Sequence, residues 1–581
     1  MDLLWCGTHS TVERRREQHL NAAEYILETI AAHGVRHVFA IPGKGNGGFY
    51  DALAARRDRL RHVLAKHEQG AAYMADGYAR AGAPFGVCLG ISAGAAINLM
   101  GGAYSAHADS VPLLVLTGNA PAASFGRNAM MEFSGRPRRP DPARLFEPVT
   151  KRSRMVRAAK EVPDALAECL AAARGGRRGA AHLCVPADVQ VEAVGLSRVP
   201  PPVAWDERPA PPPAVLDEAA AVLGAARHPV IVAGTGVVRS GAGAEVVALA
   251  EALGAPIVTT LKGKSAVPND HPLCLGHVAL GRSPAAERAV KAPEMDVLVA
   301  IGTTLSEWTN FAWDPAFARN AQVVQLDIDP AEITRVYPVR LAVIGDARAA
   351  LAGVLARLRV DPEAAARRRD AVGTLLTTVG KFDLPETRFA DTVPLRPQAV
   401  ISRLAAGLPD GTQLLADAGN NTFYTSHYYP LRRNDAFYMG GGCAAMGWSV
   451  AASIGVKLAR PDRPVVNVAG DGGFMMNGME LETAAAHDVP VLWVILTDRA
   501  LGMVKTFQTL FRGKDFIGCE FGDIEPARVA EGLGVRGLTI ERLADLEWAV
   551  ADFLAAPRPT LLDVRIDGGE VPPGIMDRLG K

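Results

Sequence analysis

At 581 residues the chain is too long for one hydrophobic core, and its length points to about three or four folded units. Lysine and arginine number 62 and aspartate and glutamate 62, so no net field draws nucleic acid or an anionic membrane surface. Hydrophobic residues make up 49% of the chain, yet no window holds the roughly 18 to 20 unbroken apolar residues of a membrane span.

The opening "MDLLWCGTHSTVERRREQ" turns polar after a few residues and carries no apolar signal region. The seven cysteines (6, 88, 169, 184, 274, 443 and 519) are scattered, odd in number and free of a CxxC pair. That pattern predicts reduced thiols and a cytoplasmic location, with neither a zinc site nor a disulfide framework.

Residues 35–48, "VRHVFAIPGKGNGG", join an apolar run to a glycine-rich loop. A strand, loop and following helix are an ordinary place to hold a ligand; a lysine in the loop is less ordinary. Lys44 either lays its stem along the wall with its ammonium in water or reaches inward, aimed by glycines 43 and 45. Next comes "LRHVLAKHEQGAAYMADGYARA" (60–81), a strand followed by a Gly/Ala-rich helix headed by Glu68. In isolation Glu68 reads as a helix cap. The zinc-protease pattern HExxH fails, because position 71 is alanine.

Short apolar runs then recur between helical stretches: "PLLVLTG", "HPVIVAGTG", "DVLVAIG", "PVVNVAGDGG" and "VLWVILTD". Bounded by glycine and joined by helices, they predict buried strands of doubly wound parallel sheets, with ligands at strand carboxyl ends. Two punctuated stretches divide the chain. Residues 200–214, "PPPVAWDERPAPPPA", form a proline-rich linker. Residues 359–397 run from "RVDPEAAARRRDA" to "DTVPLRP" and make a softer boundary. The expected fold class is α/β, with three doubly wound parallel-sheet domains at 18–195, 213–358 and 395–570.

In the third segment, "ADAGNNTFYTSH" (416–427) and "YMGGGCAAMGWSVAASIG" (438–455) pass a small-residue backbone close to a ligand, with Met446 as the intruding large residue. In "VVNVAGDGGFMMNGMELETAAAHDVPVLWVILTDRALGMV", residues 473–496 suffice for a helix and a returning strand. Asp471 and Asp498 can then converge on one cation, while the Gly472–Gly473 backbone approaches phosphates. Two carboxylates completed by phosphate oxygens and water suit Mg2+.

These motifs resemble the thiamine-diphosphate enzyme family, and "TLKGKSAVPNDHPLCLG", "LDIDPAEI", "LGMVKTFQTLF" and the tail "VPPG" resemble acetolactate synthases over nearly the whole chain. The resemblance implies a pyrimidine-binding domain, a central domain and a diphosphate-binding domain, with cofactors thiamine diphosphate and Mg2+. It makes Asp471, Asp498 and the carbonyl of Ala500 the metal ligands; the family's asparagine pair is here Thr497-Asp498. Glu68 would hydrogen-bond N1′ of the aminopyrimidine and so activate thiazolium C2. Met446 would wedge between the two rings and the Ala444 carbonyl would accept from the 4′ amino group. Asn420 and Asn421 fall where the family holds the diphosphate, and Asn98, Gly470, Gly472 and Gly473 are carried over as cofactor contacts. The active site would lie between the first domain of one subunit and the third of another, in a homodimer or homotetramer acting on small molecules.

Departures cluster around the substrate. Phe507 stands where acetolactate synthases have a tryptophan that screens the second oxo acid, and Trp308 or a neighbour stands where they have an arginine. "SGPGATN" becomes "SAGAAIN" (92–98), and "DAFQE" becomes "NAMME", with Met130 and Met131. The resemblance admits FAD, although "GHVALGRS" departs from the flavin loop and "GTGVVRSG" is a weak glycine motif. Lys44 replaces a glycine, which points to recognition of an anionic group on the acceptor or the far end of the donor, with Asn46 as a neutral partner. The implied activity is carboligation or acyl transfer from a 2-oxo acid. The alternative is a simple 2-oxo acid decarboxylase, whose common His-His pair is missing because Lys66 precedes His67. A non-catalytic relative should have lost Glu68 or the metal carboxylates.

Overall fold

The computed structural model describes residues 19–203, 208–432, 435–513 and 515–575. The amino-terminal stretch with Cys6, the start of the expected first domain at residue 18, and part of the proline-rich linker therefore lie outside the described residues.

Among the described residues, three six-stranded sheets form, and the pairings within them are parallel. The first holds β1 (His37–Ala40), β2 (Arg61–Leu64), β3 (Gly86–Gly90), β4 (Leu113–Thr117), β5 (Arg152–Met155) and β6 (Ala180–Cys184), in the order β2-β1-β3-β4-β6-β5. The central sheet holds β7 (Pro229–Ala233), β8 (Ile257–Thr259), β9 (Cys274–His277), β10 (Val297–Ile301), β11 (Gln322–Asp327) and β12 (Leu341–Ile344), in the order β12-β11-β10-β7-β8-β9. The third holds β13 (Gln413–Ala416), β14 (Ala436–Tyr438), β15 (Val465–Gly470), β16 (Leu492–Thr497), β17 (Arg536–Ile540) and β18 (Thr560–Arg565), in the order β14-β13-β15-β16-β18-β17. Central strands such as β4 and β16 are buried along their whole length, as apolar runs covered by helices on both faces must be.

The third sheet repeats the strand order of the first. This internal duplication has no counterpart in the sequence, which shows no short-period repeat. It places one topological switch point between β1 and β3 and an equivalent one between β13 and β15, where loops diverge and ligands enter.

One apolar core runs from the first sheet into one face of the third, while the central sheet has its own. The helices Glu68–Arg80 and Trp448–Ala459 cross inside the shared core almost backbone to backbone. A Cβ on Gly77 would fall 2.2 Å from the Ala452 carbonyl oxygen, and one on Gly455 1.8 Å from that of Met74. Beside the crossing, Arg80 ties the first unit to the third. Its guanidinium donates to Asp76 (2.8 and 3.0 Å), to Asp109 (2.9 Å) and to the Met439 carbonyl (2.9 Å). Lys262 of the central unit pairs with Asp109 at 3.1 Å, and the two cations hold its carboxyl well below the usual range. Among the described residues no helix is long and apolar enough to cross a membrane.

Candidate active site

At the third sheet's switch point, β15 ends in Gly470 and the chain turns into the helix Asp471–Asn477. Asp471 is fully buried. Its Oδ1 accepts the Gly472 amide at 2.8 Å, and its Oδ2 accepts the Arg499 amide at 2.7 Å. The second bond draws the loop after β16 onto the GDG turn and brings Asp498 alongside. Burial and the Asp498 carboxylate push Asp471 up to about 7, and burial pushes Asp498 up to about 6. Two buried carboxylates that disfavour each other's charge are what a divalent cation would relieve. Among the described residues no group of three or more His, Cys, Asp or Glu is placed to hold a metal. A two-carboxylate site completed by backbone and phosphate oxygens matches the needs of Mg2+.

Asn420, Asn421, Ala444, Met446, Gly470, Gly472, Gly473, Asp498 and Ala500 line one cleft of about 260 Å3. Both glycines after Asp471 are closely packed, Gly473 against a carboxylate held in place by its own bonds and Gly472 against the end of a leucine side chain. A Cβ on Gly472 would meet Leu501 at 2.6 Å, and one on Gly473 would meet Asp417 Oδ2 at 2.2 Å. Asp417 also shapes the opposite wall, since its Oδ2 accepts the Gly447 amide (2.7 Å) and its Oδ1 the Ser449 amide (3.0 Å). Those bonds fix the turn that presents Met446. Ala444 holds a left-handed φ of +53°, a conformation costing a non-glycine residue about 1–2 kcal/mol. Strain at this loop fits a backbone shaped around a ligand.

The two asparagines divide their work. The Asn421 amide nitrogen donates to the carbonyls of Asp417 (2.8 Å) and Val468 (3.1 Å), so this end is structural. Asn420 donates to Thr506 at 3.0 Å. Its Oδ1, and the hydroxyl of Tyr424 on the same helix, are buried without a partner among the described residues. Both residues line the cleft and keep polar atoms available to a ligand. Thr497 points away and donates to Asp563 at 2.7 Å.

Glu68 is built elsewhere. It is 9% exposed at the head of the helix Glu68–Arg80, and its Oε2 accepts from Asn98 at 2.9 Å. The capping reading needs correction: His67 caps this helix, its Nδ1 accepting the Gln69 amide at 3.1 Å. That leaves the Glu68 carboxylate for another task. Neither Glu68 nor Asn98 lines the 260 Å3 cleft of the same chain.

Lys44 sits at the first sheet's switch point, exposed and with no hydrogen bond or ion pair among the described residues. Its loop is pressed on its neighbour, for a Cβ on Gly45 would lie 3.0 Å from the Ile91 carbonyl oxygen. Asn46 is fully buried, accepts the Gly43 amide at 2.9 Å and donates to the Ile41 carbonyl at 3.0 Å. It is a clamp within its own loop, and this removes it as a partner of Lys44 in recognition. Phe507 lies on the helix Gly502–Arg512 and stacks on Phe511 at 6.2 Å, outside the cleft lining, whereas Trp308 is part of it. Met130 is exposed, and the Met131 carbonyl accepts from Ser92 at 2.6 Å. Sequence reasoning missed Asp417 and Tyr424, single polar residues with no motif around them.

Comparison with known proteins agrees with this geometry. Residues 20–136, 216–354 and 417–564 match the N-terminal TPP binding, central and C-terminal TPP binding domains of the thiamine pyrophosphate enzymes. The "Probable acetolactate synthase large subunit" of Methanococcus aeolicus is 33% identical over 577 residues, covering 96% of this chain and 94% of the relative. The "Acetolactate synthase isozyme 1 large subunit" of Escherichia coli is 31% identical, covering 98% of both chains. The "Acetolactate synthase" of Arthrospira platensis is 30% identical, covering 96% of both. With its GDG turn, glycine-backed cleft and three matching domains in order, the chain belongs to the thiamine pyrophosphate enzyme family, as an acetolactate synthase-like member.

Proposed function

We propose that this chain is a thiamine diphosphate- and Mg2+-dependent carboligase that transfers the acyl unit of a 2-oxo acid to an acceptor, with an anionic group on one substrate read by Lys44. The carrying observation is the cleft between the loops after β13 and β15, lined by Asp498, the glycine backbone and the strained Ala444 loop, with Asp471 buried in the turn between Gly470 and Gly472. Asp471, Asp498 and the Ala500 carbonyl would hold the metal. Gly470, Gly472 and Gly473 would lie along the diphosphate with Asn420, and Met446 and Ala444 would meet the rings. Bound there, the cofactor supplies an electron sink for decarboxylation and carbon–carbon bond formation. Glu68, oriented by Asn98, would hydrogen-bond N1′ of the aminopyrimidine.

Because Glu68 stands outside the cleft of its own chain, the proposal includes a homodimer or homotetramer in which one subunit's Glu68 serves the other's cleft. Exposed Ile97 and Tyr104 on one helix, and Met475, Met476 and Met479 beyond the metal turn, offer an apolar surface for a second copy. The unit boundaries 18–195, 213–358 and 395–570 belong to the same proposal, each enclosing one sheet. So does a cytoplasmic location, in keeping with the free thiols. FAD would lie at the central sheet's switch point, where Thr235, Gly236 and Thr303 line a cleft of about 1760 Å3 shared with the first unit; flavin absorbance of the purified protein is the check.

Lys44 is assigned to the anionic group away from the reacting carbon. A cation beside the departing carboxylate would stabilise the ground state more than the transition state and slow the reaction. At about 4 Å and an effective dielectric near 20, the raw attraction is about 4 kcal/mol. Lys44→Ala is expected to raise KM for the anionic substrate while leaving hydrogen–deuterium exchange at thiazolium C2 unchanged. Mass analysis of products from pyruvate, with and without a second 2-oxo acid or aldehyde, tests the reaction itself. A coupled product supports carboligation; free aldehyde alone returns the chain to the decarboxylases. Unaltered kinetics in Lys44→Ala would leave that side chain in solvent.

A further inference from the structure

We propose that Glu480 is a positioning residue for Glu68, acting across the contact between the first and third sheets; this rests on reading Glu68 as the glutamate that faces the cofactor. Glu480 opens the helix Glu480–Ala486 and is 1% exposed. Its carboxylate accepts the Lys66 amide at 3.1 Å (Oε1) and 3.2 Å (Oε2), and the His67 amide at 3.1 Å. The Thr483 hydroxyl lies 2.9 Å from Oε2 and 3.0 Å from the Leu64 carbonyl oxygen.

All the bonds this side chain sends across to the first unit fall on the two residues immediately before Glu68. Gly70, in the first turn of the Glu68 helix, closes on the same carboxylate, since a Cβ there would lie 2.1 Å from Oε1. A buried carboxylate is tolerated only with such donors, and a negative charge near a helix amino terminus is favourable. At its rim the Lys66 ammonium pairs with Glu482. The backbone that aims Glu68 is thus gripped by the first residue of the helix that follows Asp471–Asn477 after a two-residue turn. The metal turn of the third unit and the Glu68 loop of the first share one short connection. His67, whose ring caps the helix, is held by the same grip.

Glu480→Gln keeps the shape, leaves one acceptor oxygen and turns an NH2 group toward the same backbone donors. In the protein without cofactor, the Lys66 and His67 amides should exchange with solvent deuterium faster than in wild type. With saturating thiamine diphosphate and Mg2+, exchange at thiazolium C2 should fall about 10- to 100-fold, the scale of a misplacement near 1 Å. The cofactor's dissociation constant should stay at the wild-type value, because Asp471 and the cleft are untouched. Thr483→Val, which removes one hydroxyl, should lower C2 exchange in the same direction by a smaller factor; it decides the matter if Glu480→Gln does not fold. Wild-type C2 exchange in the folded variant, or a loss that only tracks weaker cofactor binding and a lower melting temperature, would overturn the proposal. If wild-type protein itself fails to accelerate C2 exchange above free cofactor, the functional reading fails first.

Discussion

Asp471 shows how much one side chain carries. Its two oxygens hold the Gly472 and Arg499 amides, so it shapes the turn as well as being the proposed metal ligand. Asp471→Ala is expected to abolish retention of thiamine diphosphate through gel filtration, and a chelator should do the same to wild type. Full occupancy in the variant would make the GDG turn merely structural. At this scale the sequence was legible where spacing alone brings groups together, as with Asp471 and Asp498 at the ends of β15 and β16. It was not legible where the direction of a side chain decides. Asn46 and the amide end of Asn421 looked like ligand groups, but both point back into the carbonyls of their own loops. Asp417 and Glu480 went unseen because the amides they accept lie about 30 and more than 400 residues away.

Among the elements, the crossing of the helices Glu68–Arg80 and Trp448–Ala459 sets how close the first and third sheets can approach. Gly455→Val would drive a branched side chain into the Met74 carbonyl, 1.8 Å from where its Cβ must go. Overpacking of this kind costs about 1–3 kcal/mol, and more where backbone must give way. The expected result is a lower melting temperature together with slower C2 exchange, since Met74 belongs to the helix that Glu68 heads. A melting temperature equal to wild type would show that the crossing has slack the distances do not suggest. Alternation of apolar runs and helices made the parallel sheets readable in advance. The matching strand orders of the first and third sheets were not, because topology is set by which strands pair and leaves no short repeat in the residues.

In the whole molecule the two groups of residues to which the proposed function assigns the chemistry stand apart: Glu68 and Asn98 on the first unit, Asp471, Asp498 and the cleft on the third. Arg80, Lys262 and Glu480 fix these units against one another within the chain. In the proposed function a second copy completes the site. The most direct test mixes two inactive variants, Glu68→Gln and Asp471→Ala, after denaturation and joint refolding. Loss of the positioned proton-transfer group alone should cost about 10²- to 10⁴-fold in C2 exchange. Random pairing makes about half of the dimers mixed, each with one site that has both Glu68 and Asp471, so a two-fold assembly predicts about a quarter of wild-type activity in the mixture. Activity no higher than that of either variant alone would contradict a site shared between subunits.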